Sequence, residues 1–205
     1  MARSRPTLVT AALSAAAILG YLAYRGLQPD VEPAPAIVDE TPAAPAPTMA
    51  ETLPEFSLGN LAGEPQSIRS WPGKPLLINF WATWCGPCLR EIPMLKELQT
   101  RRPDFQVVGI AIDKRDDVVE FAAEMDFNYA ILIGESEAWA AAAALGVNIY
   151  GLPFTVFAAA DGTLLGVHSG ELHAEHLDRF RAVADDLAAG RITVQAAKDR
   201  IAGPI

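Results

Sequence analysis

The chain has only two cysteines, and they stand three apart in Trp84-Cys85-Gly86-Pro87-Cys88. A thiolate at Cys85 can attack a disulfide to form a mixed disulfide, and Cys88 is then close enough to resolve it. The spacing also suits a helix start. There, unpaired backbone N–H groups and the helix dipole stabilise a Cys85 thiolate and lower its pKa. Pro87 fits a first turn, where a missing N–H forfeits no helical hydrogen bond. Other uses of a C-x-x-C pair fit less well. A zinc site takes about four ligands, yet there is no second cysteine pair and the three histidines lie about eighty residues downstream. Haem attachment needs His directly after the second cysteine, and Leu89 stands there. A structural disulfide across two residues closes too small a loop to contribute much entropy. The pair therefore predicts dithiol redox chemistry that needs no metal and no cofactor.

Such a pair must be delivered by a buried strand and carried on a helix. Leu76 to Trp81 (LLINFW) is an almost continuous apolar run that leads directly to Cys85, as expected of a strand buried on both faces. From 86 to about 101, Leu89, Ile92, Leu95 and Leu98 recur at helical spacing, and Pro93 predicts a kink in the second turn. Upstream, Phe56-Ser57-Leu58 and Gln66-Ser67-Ile68 read as a short hairpin. Downstream come a strand over Phe105–Ile112, a helix over Asp113–Met125, a strand over Tyr129–Ile133 and an alanine-rich helix over Ser136–Leu145. Phe154–Ala158 and Thr163–Val167 form a hairpin around Asp161-Gly162, and a long helix follows over Leu172–Ala189. Strands alternating with helices predict an α/β fold with a mostly parallel central sheet, and the late hairpin adds antiparallel strands. Residues 191–205 read as a loosely attached short helix or an unstructured tail.

Ahead of this domain the composition changes twice. Thr7 to Tyr24 holds no charge over eighteen residues, close to the lower limit for a membrane-spanning helix. Arg3 and Arg5 precede it and acidic residues follow, so the positive-inside rule puts 1–6 in the cytoplasm and the remainder outside. Tyr21-Leu22-Ala23-Tyr24-Arg25 offers no small-x-small cleavage site, which favours an uncleaved signal anchor over 7–25. Residues 26–51 are rich in Pro, Ala and acid, too poor in apolar surface to fold, and read as an extended tether. The domain itself is assigned to 52–190. The whole chain carries a net charge of −9, and its first 25 residues hold three arginines and no acid. That acidic balance disfavours nucleic acid and anionic membrane surfaces as partners.

Asn79-Phe80-Trp81-Ala82-Thr83-Trp84-Cys85-Gly86-Pro87-Cys88, followed by Glu91 and Pro93, resembles the thioredoxin superfamily. Within it the chain is similar to the membrane-tethered TlpA/ResA group of thiol–disulfide oxidoreductases. Gly151-Leu152-Pro153-Phe154-Thr155-Val156-Phe157 matches the segment where that family carries a cis-proline. The resemblance implies a thioredoxin fold, a mixed central sheet flanked by helices, with an N-terminal β-hairpin and a βα insertion, preceded by one transmembrane helix. It implies that Cys85 is the exposed nucleophile and Cys88 the buried resolving thiol of a redox-active disulfide. Pro153 would be the cis-proline facing that disulfide. Leu152 would present backbone groups to an extended substrate, with Trp84, Gly86 and Pro87 shaping the surface around it. Thioredoxin itself has a buried aspartate where this chain has Asn79, and Asn cannot exchange the proton of the resolving thiol. The tethered group often has Asn there and a glutamate at the position of Glu91. One turn beyond Cys88, Glu91 either faces the dithiol and shuttles its proton or lies exposed beside Arg90.

The function so implied is reduction of protein disulfides on the outer face of a bacterial inner membrane, in the periplasm, by a single-pass protein. Electrons would come from a DsbD/CcdA-type membrane donor, and the substrates would belong to cytochrome c maturation or copper-oxidase assembly. Two alternatives use the same pair: a disulfide oxidase or isomerase, and a copper-binding chaperone. His173 and His176 have a spacing that a metal could use, but a solvated helix face is the plainer reading.

Overall fold

In the computed structural model, which describes residues 49–147 and 151–203 together with Tyr21, Ala23, Tyr24 and Gly26, the apolar runs become one seven-stranded sheet. Its strands are β1 (Ser57–Asn60), β2 (Pro65–Ser67), β3 (Leu76–Trp81), β4 (Gln106–Ile112), β5 (Ala130–Gly134), β6 (Phe154–Ala158) and β7 (Leu164–Ser169). They lie in the order β2-β1-β5-β4-β3-β6-β7. The pairs β3–β4 and β4–β5 are parallel, while both hairpins and the β1–β5 and β3–β6 contacts are antiparallel. Every residue of β3 and β4 is buried, which is why these stretches read as continuous apolar runs rather than alternating ones. The late hairpin turns where expected, with Gly162 at φ +86°, a conformation that favours glycine.

Five helices cover the sheet among the described residues: α1 (Gly86–Arg101), α2 (Arg115–Met125), α3 (Ser136–Ala144), α4 (Ala174–Ala188) and α5 (Val194–Ala202). Strand alternation sorts the core into two faces. Leu77, Trp81, Val107, Ile131 and Phe157 join Cys88, Ile92 and Leu95 of α1 and Phe180 of α4 in one apolar cluster. Ile78, Phe80, Val108, Leu132 and Phe154 face the other way, against Ala138, Ala141 and Ala142 of α3 and the hairpin residue Leu58. Asn79 and Thr155 share the first face.

The structure departs from the sequence expectations in three places. Only two of the six strand pairings among the described residues are parallel, so the sheet is mixed rather than mostly parallel, because both hairpins and the β1–β5 and β3–β6 contacts run antiparallel. α1 contains Pro93 within its span. Pro93 lies on the exposed side, where water can satisfy the Leu89 carbonyl that proline leaves unbonded. The domain begins earlier than residue 52: the Ala50 N–H donates to the Leu145 carbonyl at 3.1 Å, and Met49 packs against the second cluster. The C-terminal stretch is docked rather than loose. Ala197 of α5 is fully buried, and Ile201 packs onto Gly166 of β7 so closely that a Cβ there would lie 2.5 Å from its Cγ2. Arg200 pairs with Asp186 of α4, fastening the same helix.

The apolar stretch read as an anchor falls, apart from Tyr21, Ala23 and Tyr24, outside the described residues, as does nearly all of the tether. Among the described residues no helix is long and apolar enough to cross a membrane. Residues Pro45–Ile205 form the unit to which the site belongs.

Candidate functional site

β3 ends at Trp81 and the chain turns into α1 within a few residues. Asp113, just beyond β4, fixes that turn: its Oδ2 accepts from the Thr83 N–H at 3.0 Å and from the Thr83 hydroxyl at 2.6 Å. The Cys85 N–H then donates to the Ala82 carbonyl at 3.2 Å. Cys85 becomes the N-cap of α1, with its Sγ accepting from the Cys88 N–H at 3.3 Å. A thiolate at this position would keep that N–H and gain the positive end of the helix, which favours the charged form. Here the two sulfurs are joined in a disulfide, with Cα atoms 5.3 Å apart.

Cys85 is less open than the resemblance implies. Cys85 is 5% exposed and Cys88 fully buried, whereas the adjacent Trp84 is 71% exposed. Gly86 is exposed and Pro87 half-buried, so the rim of the disulfide is one bare indole and a stretch of backbone. β6 brings the second motif alongside. Phe80 pairs with Phe154 across the antiparallel β3–β6 ladder, so Pro153 stands level with the end of β3. The Leu152–Pro153 peptide is cis, and the Pro153 carbonyl accepts from the Gly170 N–H at 2.9 Å.

Beneath the disulfide lies a polar centre. Glu91 is 1% exposed, so it points inward and not out beside Arg90. Asn79 donates through Nδ2 to Glu91 Oε1 at 2.6 Å and to Thr155 Oγ1 at 3.1 Å. The other carboxylate oxygen accepts from the Leu172 N–H at 2.8 Å. Burial pushes the Glu91 carboxyl up to about 7, against the opposing pull of those hydrogen bonds, which favour the charged form. A carboxyl poised there exchanges protons near neutral pH, and it shares the inward face of α1 with Cys88, one turn earlier. Tyr129 is pushed up as well, first by burial and then by the Glu91 charge. Gly109, beside Asn79 in β4, admits the neighbouring rings: a Cβ there would lie 3.0 Å from Trp81 Nε1 and 3.3 Å from Tyr129. Trp81 Nε1 is buried without a hydrogen-bond partner, which fits a core side chain.

The histidines gather elsewhere. The His168 and His176 rings are 4.0 Å apart between centroids, and His176 Nδ1 accepts from the His173 N–H at 2.9 Å. They serve the turn into α4. Among the described residues, no three or more His, Cys, Asp or Glu side chains converge as metal ligands would.

Sequence reasoning reached Asn79 and Glu91 but missed Thr155, Leu172 and Asp113. Thr155 carried a faint signal as a polar residue inside an otherwise apolar strand. Leu172 carried none, because it acts through its main chain.

The comparisons with known proteins agree with this geometry. Residues 48–185 match the family model described as Redoxin. The thioredoxin-like protein YneN of Bacillus subtilis is 32% identical over 134 residues, covering 63% of this chain and 76% of that protein. The thiol-disulfide oxidoreductase ResA of Geobacillus thermodenitrificans is 28% identical over 138 residues, covering 63% and 74%. Among solved structures, a thiol:disulfide interchange protein of the thioredoxin family from Chlorobium tepidum TLS superposes with a TM-score of 0.58 at 31% identity, covering 69% of this chain and 99% of that one. With its C-x-x-C disulfide at the start of α1, the chain belongs to the Redoxin family, as a thioredoxin-like thiol–disulfide oxidoreductase.

Proposed function

We propose that this protein is an extracytoplasmic reductase of protein disulfides, tethered to the bacterial inner membrane through residues 7–25. The Cys85 thiolate attacks a substrate disulfide, forming a mixed disulfide and releasing one substrate thiolate. Cys88 then gives its proton to the Glu91 carboxylate and attacks Cys85 Sγ, closing the Cys85–Cys88 disulfide and releasing the second substrate sulfur. Two electrons pass from the dithiol to the substrate, and the Glu91 proton leaves with the departing thiol or to water. Leu152 and the Pro153 segment would align the substrate backbone, and Trp84, Gly86 and Pro87 would form its landing surface.

One observation carries this reading: a buried carboxyl poised near neutrality on the helix face that holds the buried cysteine. It supplies the proton partner that Asn79 cannot be. The reducing direction is supported by the Gly-Pro dipeptide shared with thioredoxin, whose potential is about −270 mV. The membrane tether rests on the uncharged 7–24 segment and its flanking arginines. A DsbD/CcdA-type electron donor, and substrates from cytochrome c maturation or copper-oxidase assembly, rest on the family resemblance.

Replacing Cys88 with Ser should trap the substrate as a mixed disulfide on Cys85 for identification from membrane fractions. Trapping by Cys85→Ser instead would reverse the two roles. A potential above about −180 mV would overturn the reducing direction in favour of an oxidase or isomerase. A reporter fused after Ile205 that is active only in the cytoplasm would overturn the topology.

A further inference from the structure

The segment Gly170–Leu172, between β7 and α4, touches the site at three successive residues. The Gly170 N–H donates to the Pro153 carbonyl. The Leu172 N–H donates to Glu91 Oε2 at 2.8 Å. Between them the Glu171 carboxylate grips Arg90, whose Nε lies 3.0 Å from Oε1 and 3.2 Å from Oε2, with Nη2 also on Oε2. The forked contact orients as well as attracts, since a planar guanidinium meets both carboxylate oxygens. Arg90 immediately precedes Glu91, so one turn of α1 holds this segment from outside through Arg90 and from inside through Glu91. His168 Nε2, 3.2 Å from the Glu171 carbonyl, adds a third attachment.

As an isolated ion pair, Arg90–Glu171 would be worth little. The Arg90 side chain is 62% exposed and that of Glu171 22% exposed, a setting in which solvent screens most of the attraction. Its position matters more than its strength. Among the described residues the Leu172 N–H is the one main-chain donor to the Glu91 carboxylate, and nothing in the sequence of Leu172 itself aims that N–H inward.

We propose that Arg90 and Glu171 are positioning residues for the redox chemistry: their ion pair pins Gly170–Leu172 so that the Leu172 N–H stays on the Glu91 carboxylate. The inference rests on Glu91 being the proton partner of Cys88. Glu171 then acts on Glu91 in two opposed ways. Its negative charge disfavours a second carboxylate nearby, while its grip on Arg90 supports the hydrogen bond that favours one. The other ionisable neighbour is Tyr129, ahead of β5, which burial keeps protonated. Asn79 and Thr155 are neutral, and the cysteines do not titrate in the disulfide form.

Those opposed effects make the test decisive by sign. In the oxidised full-length chain, the Glu91 carboxyl is titrated by its side-chain carbon NMR signal, assigned by its loss in Glu91→Gln. If Glu171 acted only through its charge, Glu171→Met would lower the midpoint. The clamp predicts a rise of about one pH unit, the order expected for losing one hydrogen bond to a carboxylate, together with faster exchange of the Leu172 amide. Arg90→Met should do the same, and the reversed pair Arg90→Glu/Glu171→Arg should restore both readings. A midpoint that falls or stays in Glu171→Met, with Leu172 exchange unchanged, overturns the clamp. If the midpoint rises in both single variants but the pH profile of mixed-disulfide resolution does not follow, the clamp stands and the proton-shuttle role of Glu91 fails.

Discussion

The two faces of the central sheet are built from alternate residues of the same strands, yet they do opposite things. On one, Phe80 and Phe154 stack with ring centroids 4.3 Å apart, in a cluster made of apolar side chains. The other is also apolar over most of its area but carries a polar island that makes it the polar face: Asn79 holds the buried Glu91 carboxylate, and Thr155 accepts from Asn79. Register ties the two arrangements together, since Asn79 pairs with Thr155 as Phe80 pairs with Phe154. A slip of either strand by one residue would carry its ring to the α1 face and its polar residue to the α3 face, separating both pairs. The apolar face fixes the register and the polar face uses it.

The sharpest way to break this contrast is to damage the apolar face alone. Phe80→Ala should cost about 3–5 kcal/mol by denaturant unfolding, the range for truncating a buried phenylalanine. The pH profile of disulfide exchange should keep its midpoint in whatever fraction remains folded. A shifted midpoint would mean that the faces are not separable.

The polar face should show the next largest effect, as a pH dependence of stability. The Glu91 carboxyl titrates near 7 in the folded oxidised protein, against 4.5 as its ordinary value. The folded state therefore binds the proton more tightly, and the advantage is complete below the unfolded value and lost as pH rises through the folded one. Unfolding free energy should fall by roughly 3 kcal/mol between about pH 4.5 and 7 on this account. Glu91→Gln should flatten that slope, which parallel denaturation series would reveal.

A smaller shift should follow from Asn79→Leu, which removes one donor from the Glu91 carboxylate. The midpoint of that carboxyl should rise by about one pH unit, read by NMR, with Phe80 and Phe154 still stacked. Smallest in stability is Trp84→Ala. An indole 71% exposed leaves almost no cavity, so unfolding should change by less than about 0.5 kcal/mol. Slower reduction of protein disulfides, with small disulfides unaffected, would identify Trp84 as a docking surface rather than packing.

The apolar face was largely legible in the sequence, because buried strands and amphipathic helices announce themselves by period. The β3 and β6 assignments coincide with the observed strands, Leu76–Trp81 and Phe154–Ala158. α5 was underestimated for a physical reason. Its docking depends on the missing Cβ of Gly166, and neither that glycine nor Ile201 marks the contact in sequence. The polar face was legible only in part. Asn79 and Glu91 lie near the cysteines, but Thr155 comes 76 residues after Asn79, and the Leu172 N–H comes 81 residues after Glu91. A main-chain donor has no residue signature, and an Arg–Glu pair of similar separation looks like ordinary surface charge.

That long separation also orders events during synthesis. The cysteines and the helix that carries them are local, so a nascent chain has both long before β6 and the Gly170–Leu172 segment exist. Until those arrive, Glu91 lacks Thr155 behind its partner Asn79 and lacks the Leu172 N–H altogether. Contacts so distant in sequence form late, after the cost of closing the intervening loop has been met. On the proposed mechanism the dithiol is thus born before its proton partner is in place, and the last third of the chain supplies the contacts that hold Glu91.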